Sequence, residues 1–469
     1  MQIKDSKQTY MDLMKPGSFI GSTLVASGIK NALIIFHGIA GCNIEAVHFR
    51  SDQIPGGNYV PIIPTGLNES DCIQGGMDKL LKTLRDTIGQ SIAKKRPPEI
   101  VFILTSDATS IVGDDIQTAA RVVEEETGVK IIALDTPGFA GGLVHGTDAA
   151  LSALIKNQAP SNSQSGINII APHLLGSKNW VNDADEIIRL MQEAEIPVNL
   201  NLARNLNYKE LEKFTNSRTN YILSGEKLDN FEKHSNNLNI ETLNINLPLP
   251  IGIANTEKWL LTLAEEFGDV EKAKILLENE QKLINKQLKY NYNFSWMSTL
   301  MYGKYASILA HAKFGASLAR SLYWDFGIIP KVIGLIAETD RAMGEAIELL
   351  EPLEGNVEFT VLKNPSYFDY GNLIKEAQVD FAIGAIHDKP LCIGHKIPHL
   401  SLAGFNFFNQ YNFIPWPNFG VRGTLGLLTE LSRVMEDAFY LKDMIATYNY
   451  NPDKSEGTNN ASCNIQRTQ

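Results

Sequence analysis

Apolar residues along this chain fall into short β-branched runs. Each run ends in a loop of Gly or polar residues, and a stretch with helical spacing follows. Repetition of strand, loop and helix predicts parallel sheets covered by helices on both faces. Three segments carry it. The first, from about residue 17 to 155, has strands at Asn31-ALIIF-His37, Glu99-IVFILT-Ser106 and Val129-KIIAL-Asp135, with helices near 75–94 and 115–127. The second opens at Ile167-NIIA-Pro172, passes through a helix near 183–195 and a strand at Tyr221-ILS, and closes with helices near 255–266 and 270–290. The third has strands at Tyr305-ASILAHA, Lys331-VIGLIA, Val357-EFTVL and Asp380-FAIGA, then a terminal helix near 424–444.

These segments predict an α/β chain of three Rossmann-like domains, each a mainly parallel sheet flanked by helices. The predicted limits are an N-terminal extension at 1–16, domains at 17–156, 157–300 and 301–448, and a disordered tail at 449–469. The polar stretch Asn157-QAPSNSQSG-Ile167 marks one boundary and the region near 290–302 the other. A length of 469 residues agrees, since a domain averages roughly 150 residues.

Composition narrows the function. A hydrophobic fraction of 44% with 20% charged residues excludes wholesale disorder. A net charge of -11 argues against nucleic acid as the main partner. No apolar run reaches the roughly 18 residues of a membrane span, and the start, MQIKDSKQTYMDLMK, is not a secretory signal. The four cysteines, at 42, 72, 392 and 463, form no CxxC pair and are too few for a disulfide framework, so a reducing cytoplasm is expected.

Ligands of open α/β sheets bind at the carboxyl ends of strands. Three loops of the first segment occupy such ends: His37-Gly38-Ile39-Ala40-Gly41-Cys42, Ser106-Asp107-Ala108-Thr109-Ser110 leading to Gly113-Asp114-Asp115, and Thr136-Pro137-Gly138-Phe139-Ala140-Gly141-Gly142. Cys42 follows Gly41 just past a buried strand, where a thiolate has room to approach a bulky ligand. A small buried thiol is the commoner state of a free cysteine, and the residues alone leave both readings open. Asp107 reads most simply as a helix N-cap or turn carboxylate, and Asp114 and Asp115 as first-turn carboxylates of a helix. His37 reads as a hydrogen-bonded structural residue and Cys72 as a buried core thiol. His387, His395 and His399 surround Cys392 in HDKPLCIGHKIPH; metal binding is conceivable there, but a strand-end loop is the plainer reading. Cys463 lies in the polar tail and is given no role. The motifs GxxxxGK[ST], GxGxxG after a strand, HExxH and GxSxG do not occur, so nucleotide hydrolysis is not expected of this chain.

Together the loops resemble the nitrogenase component 1 family. HGIAGC at 37–42 is similar to its HGPxGC-type loop, whose cysteine ligates an iron–sulfur cluster. EIVFILTSDATSIVGDDI at 99–116 is similar to the strand and loop ending in IGDD, and ALDTPGFAGG at 133–142 to TPSFxGS. GLNESDCIQGG at 66–76, PLPIGIANTEKWLLTLAEEFG at 248–268 and GFNFFNQYNFIPWPNFGVRGT at 404–424 follow in family order. The family presents three cluster cysteines per subunit. By this resemblance only Cys42 remains, with Ile62 and Asp107 standing where the others would be. An eight-iron cluster is therefore not expected, nor an iron–molybdenum cofactor, since no cysteine occurs between 72 and 392.

The single-cysteine pattern is similar to one subunit of chlorophyllide a reductase. The resemblance implies a beta-type subunit of an ATP-dependent two-component oxidoreductase. Cys42 would be the metal ligand of an intersubunit 4Fe-4S cluster, with Gly41 and Asp107 beside it; the assignment of Asp107 draws on a carboxylate ligand in dark-operative protochlorophyllide reductase. The implied partners are an alpha-type subunit in an α2β2 assembly and a homodimeric iron protein that hydrolyses ATP. The resemblance also leaves open a cofactor-assembly scaffold and a homodimeric tetrapyrrole reductase component.

Overall fold

The computed structural model describes residues 1–5, 16–39, 41–44, 47, 60–161, 165–290, 301–404 and 416–440. Ala40, the region 291–300, most of the segment 404–424 before Trp416, and the tail with Cys463 lie outside the described residues.

Three mainly parallel sheets form the chain, as the alternating pattern predicts. In the first domain the strands Ile62–Pro64, Ala32–His37, Ile100–Thr105 and Lys130–Leu134 lie side by side in that order, all parallel. Ala32–His37 and Ile100–Thr105 are buried at every position, which is why they read as continuous apolar runs rather than alternating ones. The second sheet repeats this order with Val198–Leu202, Ile167–Ile170, Thr219–Ile222 and Glu241–Thr242. The third runs Thr360–Lys363, Ile329–Ile336, Tyr305–His311, Phe381–Gly384, His399–Ser401, which is the 3-2-1-4-5 order of a doubly wound fold.

Gln2–Asp5, within the stretch read as an N-terminal extension, adds a parallel edge strand beside Thr360–Lys363 of this third sheet. Its four side chains are exposed, so no hydrophobic pattern marks it. The run read from Val357 begins its ladder only at Thr360, and the terminal helix starts at Gly420 rather than near 424.

Two apolar cores bind the domains to one another. One runs from Ile169 and Trp259 of the second domain to Ile308 and Phe314 of the third, and Trp259 donates its indole N–H to the Tyr221 hydroxyl at 3.0 Å. The other joins Phe36 and Phe102 of the first domain to Ile170 and Phe231 of the second. A short pairing of Ile29–Lys30 with Leu206–Asn207 also links these two domains. Among the described residues no helix is long and apolar enough to cross a membrane.

Candidate functional site

Strand order in the first sheet reverses direction between Ala32–His37 and Ile100–Thr105: the chain leaves one toward Ile62–Pro64 and returns on the other side. Loops from two such strands diverge and leave a crevice at their carboxyl ends. His37 pairs in register with Thr105 at that edge, so the loop to Cys42 and the loop to Asp107 leave from neighbouring points. Gly38 permits the close approach. A Cβ there would lie 2.6 Å from Ser106 Oγ and 2.9 Å from the Phe36 ring.

A hydrogen-bonded network fixes the base of the crevice. The fully buried His37 ring places Nε2 2.9 Å from Asp114 Oδ2 and Nδ1 3.1 Å from the Thr65 hydroxyl. The Asp114 carboxylate only accepts, so Nε2 carries the proton. Burial pushes the His37 pKa down, against the pull of the Asp114 hydrogen bond and charge, which favours a neutral ring. Asp114 also accepts from the Gly76 amide at 2.9 and 3.0 Å. A Cβ on Gly76 would lie 2.9 Å from Asp114, His37 and Leu67, so glycine is required for this contact. His37 is therefore the structural residue it was read as. Asp114 is a cross-loop tie preceding the helix Ile116–Thr127, whose N-cap is Asp115, accepting from Thr118 N at 3.0 Å.

Asp107 is not an N-cap. Ser106 caps the short helix Asp107–Val112 in a capping box with Thr109, and Asp107 occupies the first turn. Its exposed carboxylate instead reaches the third loop, accepting from Gly138 N at 2.5 Å. Thr105 donates to Asp135 at 2.7 Å, and Ser110 donates to the same oxygen. The second and third loops are thus laced together.

Cys42 is exposed, just beyond this network, in a turn where its amide donates to Ile39 O at 3.2 Å. Among the described residues a Cβ on Gly41 would meet nothing within 4 Å, so their packing does not require glycine at that position. Cys72, expected as a buried core thiol, is only half-buried. Its helix Glu69–Gln74 lies on the rim, held by the Asn68 capping box, and buries none of its residues. Ile62 is a buried strand residue. Cys392 is fully buried, and burial pushes its thiol up to about 12. Among the described residues no group of three His, Cys, Asp or Glu side chains is placed to hold a metal ion, the segment around Cys392 included.

Around the crevice the carboxyl end of each of the four strands carries exposed apolar side chains. They are Ile39 and Ile44 after the first strand, Ile73 after the second, Ile111 after the third and Phe139 after the fourth. Ile73, Ile111 and Phe139 are 84%, 76% and 64% exposed. Sequence reasoning missed this rim, since single apolar residues inside polar loops give no periodic signal. It also missed a cavity of about 260 Å³ between the second and third domains. Its charges pair with one another, Lys313 with Glu345 at 2.7 Å and Arg341 with Glu232 at 2.8 Å, and among the described residues no cysteine lines it.

The family described as nitrogenase component 1 type oxidoreductase matches residues 18–436. The chain belongs to that family. Its relatives include the nitrogenase iron-molybdenum cofactor biosynthesis protein NifE of Clostridium pasteurianum, 22% identical, with 80% of this chain and 78% of that protein covered. The nitrogenase molybdenum-iron protein alpha chain of Methanothermobacter marburgensis is 22% identical, with 88% and 86% covered. The corresponding beta chain of Methanococcus maripaludis is 21% identical, with 90% and 93% covered. The solved structure of nitrogenase Cp1 at pH 6.5 superposes with a TM-score of 0.74 at 20% identity over 94% of this chain and 96% of that one. The nitrogenase component 1 fold expected from the loops is therefore present.

Proposed function

We propose that this chain is the beta-type subunit of a nitrogenase-like reductase and contributes Cys42 to an iron–sulfur cluster shared with an alpha-type partner. One observation carries the reading: among the described residues, the one exposed thiol sits past the strand-order reversal, with exposed apolar side chains on the loops around it. A lone thiolate cannot by itself hold a cluster, which takes four ligands. Among the described residues no group of three His, Cys, Asp or Glu side chains is placed to complete the set. The missing ligands then come from another chain, and the apolar rim is what that chain covers. Seating it there would exclude water from Cys42 and lower the local dielectric, both of which tune a cluster's potential.

When bound, such a cluster supplies one-electron redox capacity. The residues of this chain do the positioning. His37, Thr65 and Asp114 hold the root of the Cys42 loop, while Asp107 ties the second loop to the third. ATP hydrolysis belongs to a separate homodimeric iron protein in this reading.

A second reading, a scaffold for cofactor assembly, is favoured by the similarity to NifE. Anaerobic co-expression with candidate alpha-type partners, followed by iron analysis and turnover with an iron protein, tests both. A reductase subunit retains iron in the complex, loses it in Cys42→Ala and supports ATP-dependent substrate reduction. A scaffold instead passes its cluster to an apo-acceptor without turnover. Full iron content in Cys42→Ala would defeat both assignments of the thiol.

A further inference from the structure

Three helix N-termini near the junction of the domains are each held by a carboxylate from a different domain, and the order closes on itself. Asp148, on the first-domain helix Leu143–Ile155, accepts from Phe231 N at 2.7 Å, Asn230 N at 3.1 Å and Asn230 Nδ2 at 2.8 Å, at the start of the second-domain helix Asp229–Asn237. Glu226, on the second-domain loop before that helix, accepts from the Thr339 hydroxyl at 2.6 Å and from the amides of Thr339 and Glu338 at 3.1 and 3.2 Å. These open the third-domain helix Asp340–Leu350. Glu338, in the same loop, accepts from Val144 N at 3.1 Å, at the start of Leu143–Ile155. The first domain holds the second, the second holds the third, and the third holds the first.

Local sequence explains only one of these helix starts: Asp340–Leu350 has its own cap, the Thr339 hydroxyl accepting from Ala342 N, and Glu226 holds that cap residue. A helix is ordinarily capped by the residue just before it. Leu143–Ile155 is preceded by Gly142 and Asp229–Asn237 by Leu228, and neither supplies a side-chain cap. The free N–H groups at both helix starts are met from another domain instead, with the carboxylate charge favoured at the positive end of the helix dipole. Gly142 has a matching requirement: a Cβ there would fall 2.4 Å from the Glu338 carboxyl carbon. Asp148 and Glu226 are buried. Glu338 is exposed as a residue, but its carboxylate lies against Gly142 and the Val144 amide, and burial there raises its pKa to about 7.

We propose that Asp148, Glu226 and Glu338 form a closed capping ring that sets the mutual orientation of the three domains. The ring reaches the candidate site through Leu143–Ile155, because the loop before that helix carries the Gly138 amide that Asp107 accepts from. Ser18 N also donates to Gly141 O at 2.9 Å in this loop. The ring does not depend on the redox reading, and its test reads backbone exchange rather than iron or turnover.

Hydrogen–deuterium exchange on the full chain, for Asp148→Ala, Glu226→Ala, Glu338→Ala and their pairwise combinations, decides the matter. A closed ring predicts that each single variant speeds exchange at all three helix starts, by about five- to tenfold, the size of a lost cap. Each double variant should exceed its faster single by less than about twofold, because a ring once opened has little left to lose. Three independent caps would give the opposite: each variant affects only the helix start it contacts, and double variants show both effects unchanged. That result overturns the proposal. Should an alanine variant fail to fold, Asp148→Asn, Glu226→Gln and Glu338→Gln keep one acceptor oxygen and are judged by the same spread across all three helix starts.

Discussion

His37 and Asp114 meet at 2.9 Å, Nε2 to Oδ2, with side chains that are 0% and 4% exposed. Their bond joins the end of a central strand to the turn before Ile116–Thr127, across 77 positions of sequence. Since Asp114 also takes the Gly76 amide, one carboxylate ties together the loops that follow three strands.

Asp114→Ala leaves the His37 ring N–H and the Gly76 amide without their acceptor in a water-poor site. The expected loss is about 2–3 kcal/mol of unfolding free energy, the cost of stranding buried donors. Urea denaturation measures it. A loss under about 0.5 kcal/mol would mean that water replaces the carboxylate freely.

Cys42 and Cys392 should behave as opposites. Cys42→Ser changes an exposed side chain and should shift the stability of the isolated chain by less than about 0.5 kcal/mol. Cys392→Ser places a hydroxyl in a fully buried apolar setting and should cost about 1–3 kcal/mol. Alkylation at pH 8 with peptide mapping gives the second contrast. Cys42 should label in the native chain, whereas Cys392, pushed up to about 12 by burial, should label only after unfolding.

Asp183 gives a signed pH dependence. Burial raises its pKa to about 7, opposed by hydrogen bonds from Ser177 Oγ and the Asn418 amide and reinforced by the nearby Glu186 charge. The folded chain therefore holds a proton that the unfolded chain has already released. The contribution of Asp183 is present at low pH and lost as pH rises from about 4 to about 7. Asp183→Asn keeps the shape without the charge. Relative to that variant, the wild type should lose stability on the order of 3 kcal/mol between pH 5 and pH 8. Parallel stability–pH curves for the two proteins would contradict it.

Lys313 and Glu345 should respond asymmetrically to truncation. Lys313 is 3% exposed and its partner 21%. Glu345→Ala strands a buried ammonium and should cost about 3–5 kcal/mol. Lys313→Met leaves a carboxylate that water still reaches, and should cost less than half as much. Denaturation midpoints of the two variants at pH 7 test the order. Equal losses would show that the pair's burial does not control its energetics.

Much of the fold was legible because buried parallel strands are written as uninterrupted β-branched runs. Ala32–His37, Ile100–Thr105 and Lys130–Leu134 lie within a residue of where the pattern puts them. Gln2–Asp5 was not legible, because an edge strand with exposed side chains obeys no core pattern. Cys72 was misread for a related reason. Cys72 reads as lying at the start of the helix expected near 75–94, but Gly75 separates it from Met77–Ala93, which buries Leu80, Leu84 and Ile88, and leaves Glu69–Gln74 on the rim.

By itself the sequence determined the alternation of strands and helices, the strand-end positions of the His37, Ser106 and Thr136 loops, and the family resemblance they carry. Those are local properties, set by side-chain periodicity and by residues a few positions apart. Only the tertiary structure decided that Asp114 reaches His37, that Asp107 turns to Gly138 rather than capping its own helix, and that the apolar tips of four loops gather on one edge. Such pairings join residues tens of positions apart. They depend on strand order and on how closely glycines such as Gly38 and Gly76 let loops approach, which no short window of sequence contains.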